Sequence, residues 1–177
     1  MGQERFSQIF FYREEDTLVA MGRENLKFFK LTPEKLILKD SPFARRGEIN
    51  ERDYNFTAYC IMKDSLIIGT ETGELLYFSA QGECKGVLFS SPGSNYIIET
   101  LLYLPNTNRS FLVGCSDGLL LLYDKSESKD PKNSYVRSER KFPLKEFRGR
   151  ITSLAATPKE NDIFIGFHSG ILLKMTN

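Results

Sequence analysis

Residues 111–123, FLVGCSDGLLLLY, contain Gly114-Cys115-Ser116-Asp117-Gly118. Taken alone, that pentapeptide fits G-x-S-x-G, the nucleophile elbow of serine hydrolases. The single histidine, His168, lies downstream, with Asp130 and Asp162 between. Ser, Asp, His is the chain order that hydrolase fold uses. The pattern is repeated, however, and the repetition decides its meaning. Residues 66–78 read LIIGTETGELLYF and residues 163–175 read IFIGFHSGILLKM. Each copy is an apolar triplet, a glycine, three variable residues, a second glycine and an apolar segment. A more divergent copy spans Leu18 to Leu31 and lacks the second glycine. Its first glycine, Gly22, precedes Gly69, Gly114 and Gly166 at separations of 47, 45 and 52 residues.

The segments upstream of each copy also correspond. SQIFFYREEDT, FTAYCIMKDS, IIETLLYLPNTNRS and ITSLAATPKENDI are each an apolar run followed by a polar turn. Period-two alternation is a strand signal, and clusters of Asp, Asn and Pro mark turns. Pro105 and Pro158 stand in two of these turns, where no ladder hydrogen bond is needed. Each unit therefore reads strand, turn, strand, glycine hairpin, strand. A fourth strand is expected at Lys35–Leu38, Cys84–Phe89 and Arg140–Leu144. Four antiparallel strands every 40–50 residues is the period of a β-propeller blade.

The expected architecture is all-β, with about three complete blades and a partial fourth. Residues 1–177 form one propeller segment, with blades near 6–45, 54–90, 96–145 and 150–177. The polar stretch 125–138 is expected to be an exposed loop. Gly69, Gly73, Gly114, Gly118, Gly166 and Gly170 are expected as structural hairpin glycines, supplying positive φ at low steric cost. Phe10, Phe11, Phe28, Phe29, Phe78 and Tyr123 alternate along strands and are expected in the core. An unfinished ring exposes strand edges that invite pairing. The segment is thus expected to be completed by further blades of a longer chain or by a partner.

The repeat removes the force of the hydrolase pattern. The slot held by Ser116 is Glu71 in one copy and His168 in another. A nucleophile elbow also needs a strand–turn–helix context, whereas Gly118 is followed by LLLLY, a strand-like run. Catalysis by Ser116 is therefore the lesser alternative. Cys115 has no local cation or helix terminus to lower its thiol pKa. Cys60, Cys84 and Cys115 form no CxxC pair, and their odd number argues against a closed disulfide framework. No catalytic, metal or cofactor residue is assigned.

Composition narrows the classes. A chain 41% hydrophobic and 27% charged is globular rather than disordered. The net charge of +1 gives no general attraction to nucleic acid, so an RNA-associated propeller is a second alternative. No apolar run is long enough to span a bilayer, and no secretory signal is visible. Met1-Gly2 lacks the Ser or Thr at position 6 that myristoylation favours; Phe6 stands there. Basic residues concentrate at Arg45-Arg46 and from Arg137 to Arg150. Arg45, Arg46, Arg148 and Arg150 are the candidates for steering an acidic partner.

The unit resembles the WD repeat. Its third strands end in Phe29-Lys30, Phe78-Ser79, Tyr123-Asp124 and Met175-Thr176, of which Tyr123-Asp124 approaches the Trp-Asp signature. Residues 21–37, MGRENLKFFKLTPEKLI, are similar to a strand of echinoderm microtubule-associated-like and large ciliary WD-repeat propellers. Residues 44–78, with Arg-Gly-Glu ahead of a Gly-Thr-Glu-Thr-Gly hairpin, are similar to the cilia- and flagella-associated protein 57 family. The run LLLYDKSE with its continuation YVRSERKFPL adds to that likeness. The resemblance implies a non-enzymatic scaffold of the ciliary axoneme near inner-arm dynein. It also implies partners among axonemal or dynein subunits and possible contact with tubulin. No family catalytic or cofactor residue exists to be matched.

Overall fold

In the computed structural model, the described residues are 5–12, 16–43, 54–63, 65–89, 96–107, 109–140, 142, 144 and 149–176. They form four antiparallel sheets, each built from consecutive strands. Blade one contains β1 (Phe6–Phe11), β2 (Thr17–Gly22), β3 (Asn25–Leu31) and β4 (Leu36–Leu38). Blade two contains β5 (Phe56–Met62), β6 (Ser65–Thr70), β7 (Leu75–Ser79) and β8 (Cys84–Phe89). Blade three contains β9 (Ile98–Leu104), β10 (Ser110–Cys115), β11 (Leu120–Lys125) and β12 (Tyr135–Arg137). Blade four contains β13 (Ile151–Ala156), β14 (Asp162–Phe167) and β15 (Leu172–Thr176).

Alternation puts apolar side chains on both faces of the inner strands, so each sheet needs cover on two sides. The cover comes from the neighbouring blades. Val19, Met21 and Phe28 of blade one share a core with Leu66, Ile68 and Phe78 of blade two. Ile67, Leu75 and Cys60 of blade two meet Phe111, Val113 and Tyr123 of blade three. Leu112, Leu120 and Leu122 of blade three meet Ile151, Ile163 and Ile165 of blade four. Aromatic pairs fix some of this packing. Phe111 stacks on Tyr123 at 5.1 Å, and Phe10 lies flat on Tyr59 of the next blade.

Strand pairing gives the register common to all four units. Leu18 pairs with Phe29, Leu66 with Phe78, Phe111 with Tyr123 and Ile163 with Met175. Three residues after the first member of each pair stand Met21, Gly69, Gly114 and Gly166. The unit-one equivalent of the repeat glycine is therefore Met21, and Gly22 lies one position further on. Side-chain bonding agrees: Ser7 Oγ donates to Met21 O and Thr152 Oγ to Gly166 O, both at 3.3 Å. The slip arises because β2 and β3 are joined by two residues, Arg23 and Glu24, with Glu24 at φ 55°. Gly22 has a reason of its own, since a Cβ there would lie 2.2 Å from the Arg5 carbonyl oxygen.

Every first strand carries a β-bulge near its start, which tightens the local twist. The extra residues are Ser7, Thr57, Glu99 and Thr152, all polar. The residues just before them are Phe6, Phe56, Ile98 and Ile151. The last three are buried against the preceding blade, whereas Phe6 is only half-buried.

Two further expectations are corrected. The strand paired outside the third strand of blade three is Tyr135–Arg137, within the stretch expected to be an exposed loop, whereas Lys141 and Pro143 of the expected Arg140–Leu144 lie outside the described residues. Tyr135 is buried, 5.1 Å from the Phe111 ring, and so anchors that strand despite its polar surroundings. Phe11, expected in the core, is 55% exposed. It points away from blade two, toward a side that no described residue covers.

The turns add polar ties. Tyr12 Oη donates to Ser79 O at 2.8 Å, and Gln8 Nε2 to Thr57 O at 3.0 Å, joining blades one and two. The buried Glu160 carboxylate accepts from the backbone N–H of Asn106 at 2.9 Å and of Thr107 at 2.6 Å, joining blades three and four. Glu160→Ala leaves both amides without their charged acceptor. The expected loss is about 2–3 kcal/mol in urea unfolding; a loss under about 0.5 kcal/mol means that water replaces the carboxylate.

Candidate interaction surface

The hairpins between second and third strands form one end of the molecule, and their frame is constant. Glu71 N donates to Asn55 O, Ser116 N to Ile97 O and His168 N to Arg150 O, each at 2.9 Å. Each acceptor residue immediately precedes the first strand of its own blade. The second glycine of each hairpin, Gly73, Gly118 or Gly170, has φ of 82°, 83° or 84°, the left-handed region that favours glycine. The first glycines differ from expectation. Gly69, Gly114 and Gly166 lie within strands, away from the hairpin tips and without positive φ. Their role is spatial. A Cβ on Gly69 would stand 2.4 Å from Ile98, and one on Gly114 would stand 2.6 Å from Ile151. Each is a socket for an isoleucine of the following blade.

On this frame the tips vary. Arg23, Glu24, Glu71, Thr72, Asp117 and His168 are exposed at equivalent turns. Slot side chains in two blades turn back onto their own blade. The Glu71 carboxylate accepts from Asn55 Nδ2, and Ser116 Oγ accepts from Ile97 N at 2.8 Å. The Ser116 hydroxyl thus serves as a local cap. His168 occupies the same slot on blade four, and no bond joins it to Ser116 among the described residues.

The basic candidates are placed as follows. Arg45, Arg46 and Arg148 lie outside the described residues. Arg150 forms an ion pair with Glu99, Nη2 donating a hydrogen bond to Oε2 at 2.8 Å and Nε lying 2.8 Å from Oε1. Glu99 is mostly buried, its side chain 10% exposed, so Arg150 neutralises a carboxylate at a bulge. A partner would have to compete with that contact. Glu99 and Glu160 escape sequence reasoning because neither lies in a motif. Position at a bulge or turn, visible only in the fold, gives them partners.

The cysteines are dispersed among the cores. Cys60 and Cys115 lie between blades two and three, and Cys84 lies between blades one and two. Burial, the largest cause, pushes the thiols of Cys60 and Cys115 up to about 12. Asp117 and Glu99 raise Cys115 further, against a smaller lowering by Arg137. That is the opposite of an activated nucleophile. The unfolded chain loses these protons near pH 9, while the folded chain keeps them. Stability is therefore expected to fall above pH 9, by about 1 kcal/mol per pH unit for each thiol. Urea midpoints measured at pH 8 and pH 10 check this. No fall in a chain whose cysteines remain reduced overturns it.

A groove of about 610 Å³ between the outer parts of blades one and two is lined by Phe28, Lys39, Asp40, Glu83 and Lys85, among others. Its charges are of both signs, and Lys85 pairs with Glu83 at 2.7 Å. It selects no ligand charge. Among the described residues, no three His, Cys, Asp or Glu side chains are grouped to hold a metal ion.

Comparison with solved structures settles the architecture. The chain superposes on the β-propeller domain of Cps50 (Swd1) from Myceliophteria thermophila with a TM-score of 0.68 at 17% identity, over 93% of this chain and 57% of that one. The fold is that of a β-propeller. The propeller segment also superposes on the computationally designed protein Ika4, with a TM-score of 0.61 at 16% identity over 99% of both chains. For the designed Ika8 the TM-score is 0.65 at 15% identity, over 99% of this chain and 46% of that one. No protein-family model matches the propeller segment. In sequence it is 33% identical, over 97% of its length, to cilia- and flagella-associated protein 57 A of Tetrahymena thermophila. It spans 13% of that protein's length. The segment is thus a run of propeller blades that resembles the cilia- and flagella-associated protein 57 family.

Proposed function

We propose that the chain is a non-enzymatic protein-interaction scaffold of the ciliary axoneme, associated with inner-arm dynein. The observation that carries this reading is the 33% identity to a cilia- and flagella-associated protein, which extends through all four blades. The geometry is in keeping with it. A rigid hydrogen-bonded frame presents exposed tips that differ from blade to blade, as a platform for protein partners requires. The Ser116 hydroxyl is engaged with Ile97 N, and the Cys115 thiol is buried.

The test is to tag the protein in a ciliated cell and extract its cilia with detergent and salt. Retention with the axoneme and co-purification of inner-arm dynein subunits support the proposal. Free release into the membrane-plus-matrix fraction, or no difference between ciliated and unciliated cells, overturns it. A separate check concerns chemistry. A fluorophosphonate probe is expected to give no labelling of the folded chain that Ser116→Ala removes. Such labelling would make the protein a serine hydrolase.

A further inference from the structure

We propose that the groove between the outer parts of blades one and two docks a protein partner, which seats there a closed polar turn built like residues 126–134 of this chain. The proposal rests on the scaffold reading and names a surface for it. The chain itself indicates what such a rim accepts. Val19 pairs with Phe28 and Ile67 with Tyr77, so Phe28 of blade one and Tyr77 of blade two are equivalent in register. Lys39 N donates to Phe28 O at 2.8 Å, which puts Lys39 where Gly86 pairs with Tyr77. Against each of these pairs lies the connection between third and fourth strands of the following blade. A Cβ on Gly82 of blade two would stand 3.0 Å from the Phe28 ring, and a Cβ on Gly86 would stand 3.2 Å from Lys132 Cγ of blade three.

The two rims differ in how far that connection fills them. Between blades two and three it is residues 126–134, nine in all. Lys132 lays its stem over Gly86, and Tyr135, next after the loop, stands 6.5 Å from the Tyr77 ring with its Oη donating to Met62 Sδ at 3.3 Å. Between blades one and two the connection is residues 80–83, four in all. The shorter turn leaves the groove of about 610 Å³ beside Phe28. Lys39, in the place of Gly86, does not fill it, because its ammonium is drawn off to Thr17 Oγ1 at 2.9 Å. Both walls of the groove are described, one from each of two consecutive blades, with residues 39–42 between them.

The 126–134 loop also indicates the kind of segment that suits such a rim. Ser126 N donates to Ser134 O at 2.9 Å and closes it. Inside, Ser128 N donates to Ser126 Oγ at 3.1 Å, Asp130 N to Ser128 Oγ at 3.2 Å and Lys132 N to Asp130 Oδ1 at 3.0 Å. A turn that satisfies its own backbone asks no ladder of hydrogen bonds from the groove. Being ordered beforehand, it also loses little conformational freedom on docking. Its exposed charges are of both signs, with Glu127 and Lys129 side by side. The groove is likewise mixed, with Asp40 exposed and Lys85 paired to Glu83. Walls of mixed sign favour a turn bearing both charges over a simple ion.

The probe is a head-to-tail cyclic peptide copying residues 126–134, added to the isotope-labelled chain and followed by heteronuclear NMR. Saturable shifts are expected at the amides of Lys39, Asp40, Gln81 and Gly82, half-complete below about 1 mM, with the linear peptide at least about tenfold weaker. Gln81 is exposed on the short turn, so Gln81→Trp fills the groove without disturbing the core. That variant is expected to remove the shifts while the signals of the other blades stay in place. Groove amides unmoved at about 2 mM cyclic peptide overturn the proposal, and so do shifts that survive Gln81→Trp. Shifts centred on Tyr77 and Gly86 mean that the peptide only displaces the chain's own loop, and they overturn it as well. Shifts of the groove amides that grow with chain concentration in the absence of peptide assign the groove to a second copy, also against the proposal. None of these outcomes bears on retention with the axoneme, so the groove and the scaffold reading fail separately.

Discussion

Gly114→Val leaves the folded chain destabilised by about 3 kcal/mol or more, measured by urea unfolding. The sign of this result separates two accounts of the repeat glycine. If Gly114 were merely a weak strand residue, valine would stabilise, because glycine in a strand interior is entropically costly and β-branched residues suit strands. The socket account gives the opposite sign. A Cβ at Gly114 stands 2.6 Å from Ile151 Cγ2 and 2.7 Å from Thr100 Cγ2. Both neighbours are branched at Cβ and stiff at χ1, so neither swings aside readily. Ile151 is fully buried, with no free volume to enter. Inserting even small groups into a packed core costs about 1–3 kcal/mol, and valine inserts an entire branched side chain. Gly114→Ala is expected to fall between wild type and valine. A stabilised Gly114→Val would show that blades three and four are not locked at this point.

Phe78→Ala is the second large effect, with an expected loss of about 3–5 kcal/mol. Phe78 is fully buried, and its ring lies 6.0 Å from Phe28 and 5.9 Å from Phe43. It belongs to blade two, while Phe28 belongs to blade one, so the truncation opens a cavity in their shared core. The melting temperature of a chain this size is expected to drop by about 8–15 °C. Differential scanning calorimetry reads this directly, and Phe78→Leu should recover most of the loss. A change below about 1 kcal/mol would mean that the blades close over the gap, and that the aromatic at the end of the third strand is not what joins them.

The repeat itself was legible because glycine leaves a mark in the sequence wherever two backbones or a backbone and a side chain must come close. Three of four units aligned correctly on that mark. The first did not, because its two-residue hairpin needs no second glycine, and Gly22 is small for a different reason, the nearby Arg5 carbonyl. Pairing register, absent from the sequence, exposes Met21 as the true equivalent. The strand Tyr135–Arg137 was hidden by the charged residues around it, since three residues are too few to show alternation. Tyr135 alone carries that strand into the core. Phe11 looked like core because it alternates with its neighbours. Which side of a sheet is covered depends on which blade lies beyond it. The basic candidates were poorly legible for a related reason: charge in the sequence does not reveal a partner, and Arg150 proves to be engaged with the Glu99 carboxylate.

The shared cores also bear on how the chain is made. No blade keeps a core to itself, since each of the three apolar clusters draws on two consecutive sheets. On the ribosome, each newly emerged blade therefore waits for its successor. At ordinary elongation rates that wait is roughly 2–10 s per blade. Throughout it, a row such as Ile67 and Leu75 faces water with nothing opposite. The nascent chain thus always trails one bare surface at its growing end, which is where a chaperone would bind and where a ribosomal pause would do the most harm.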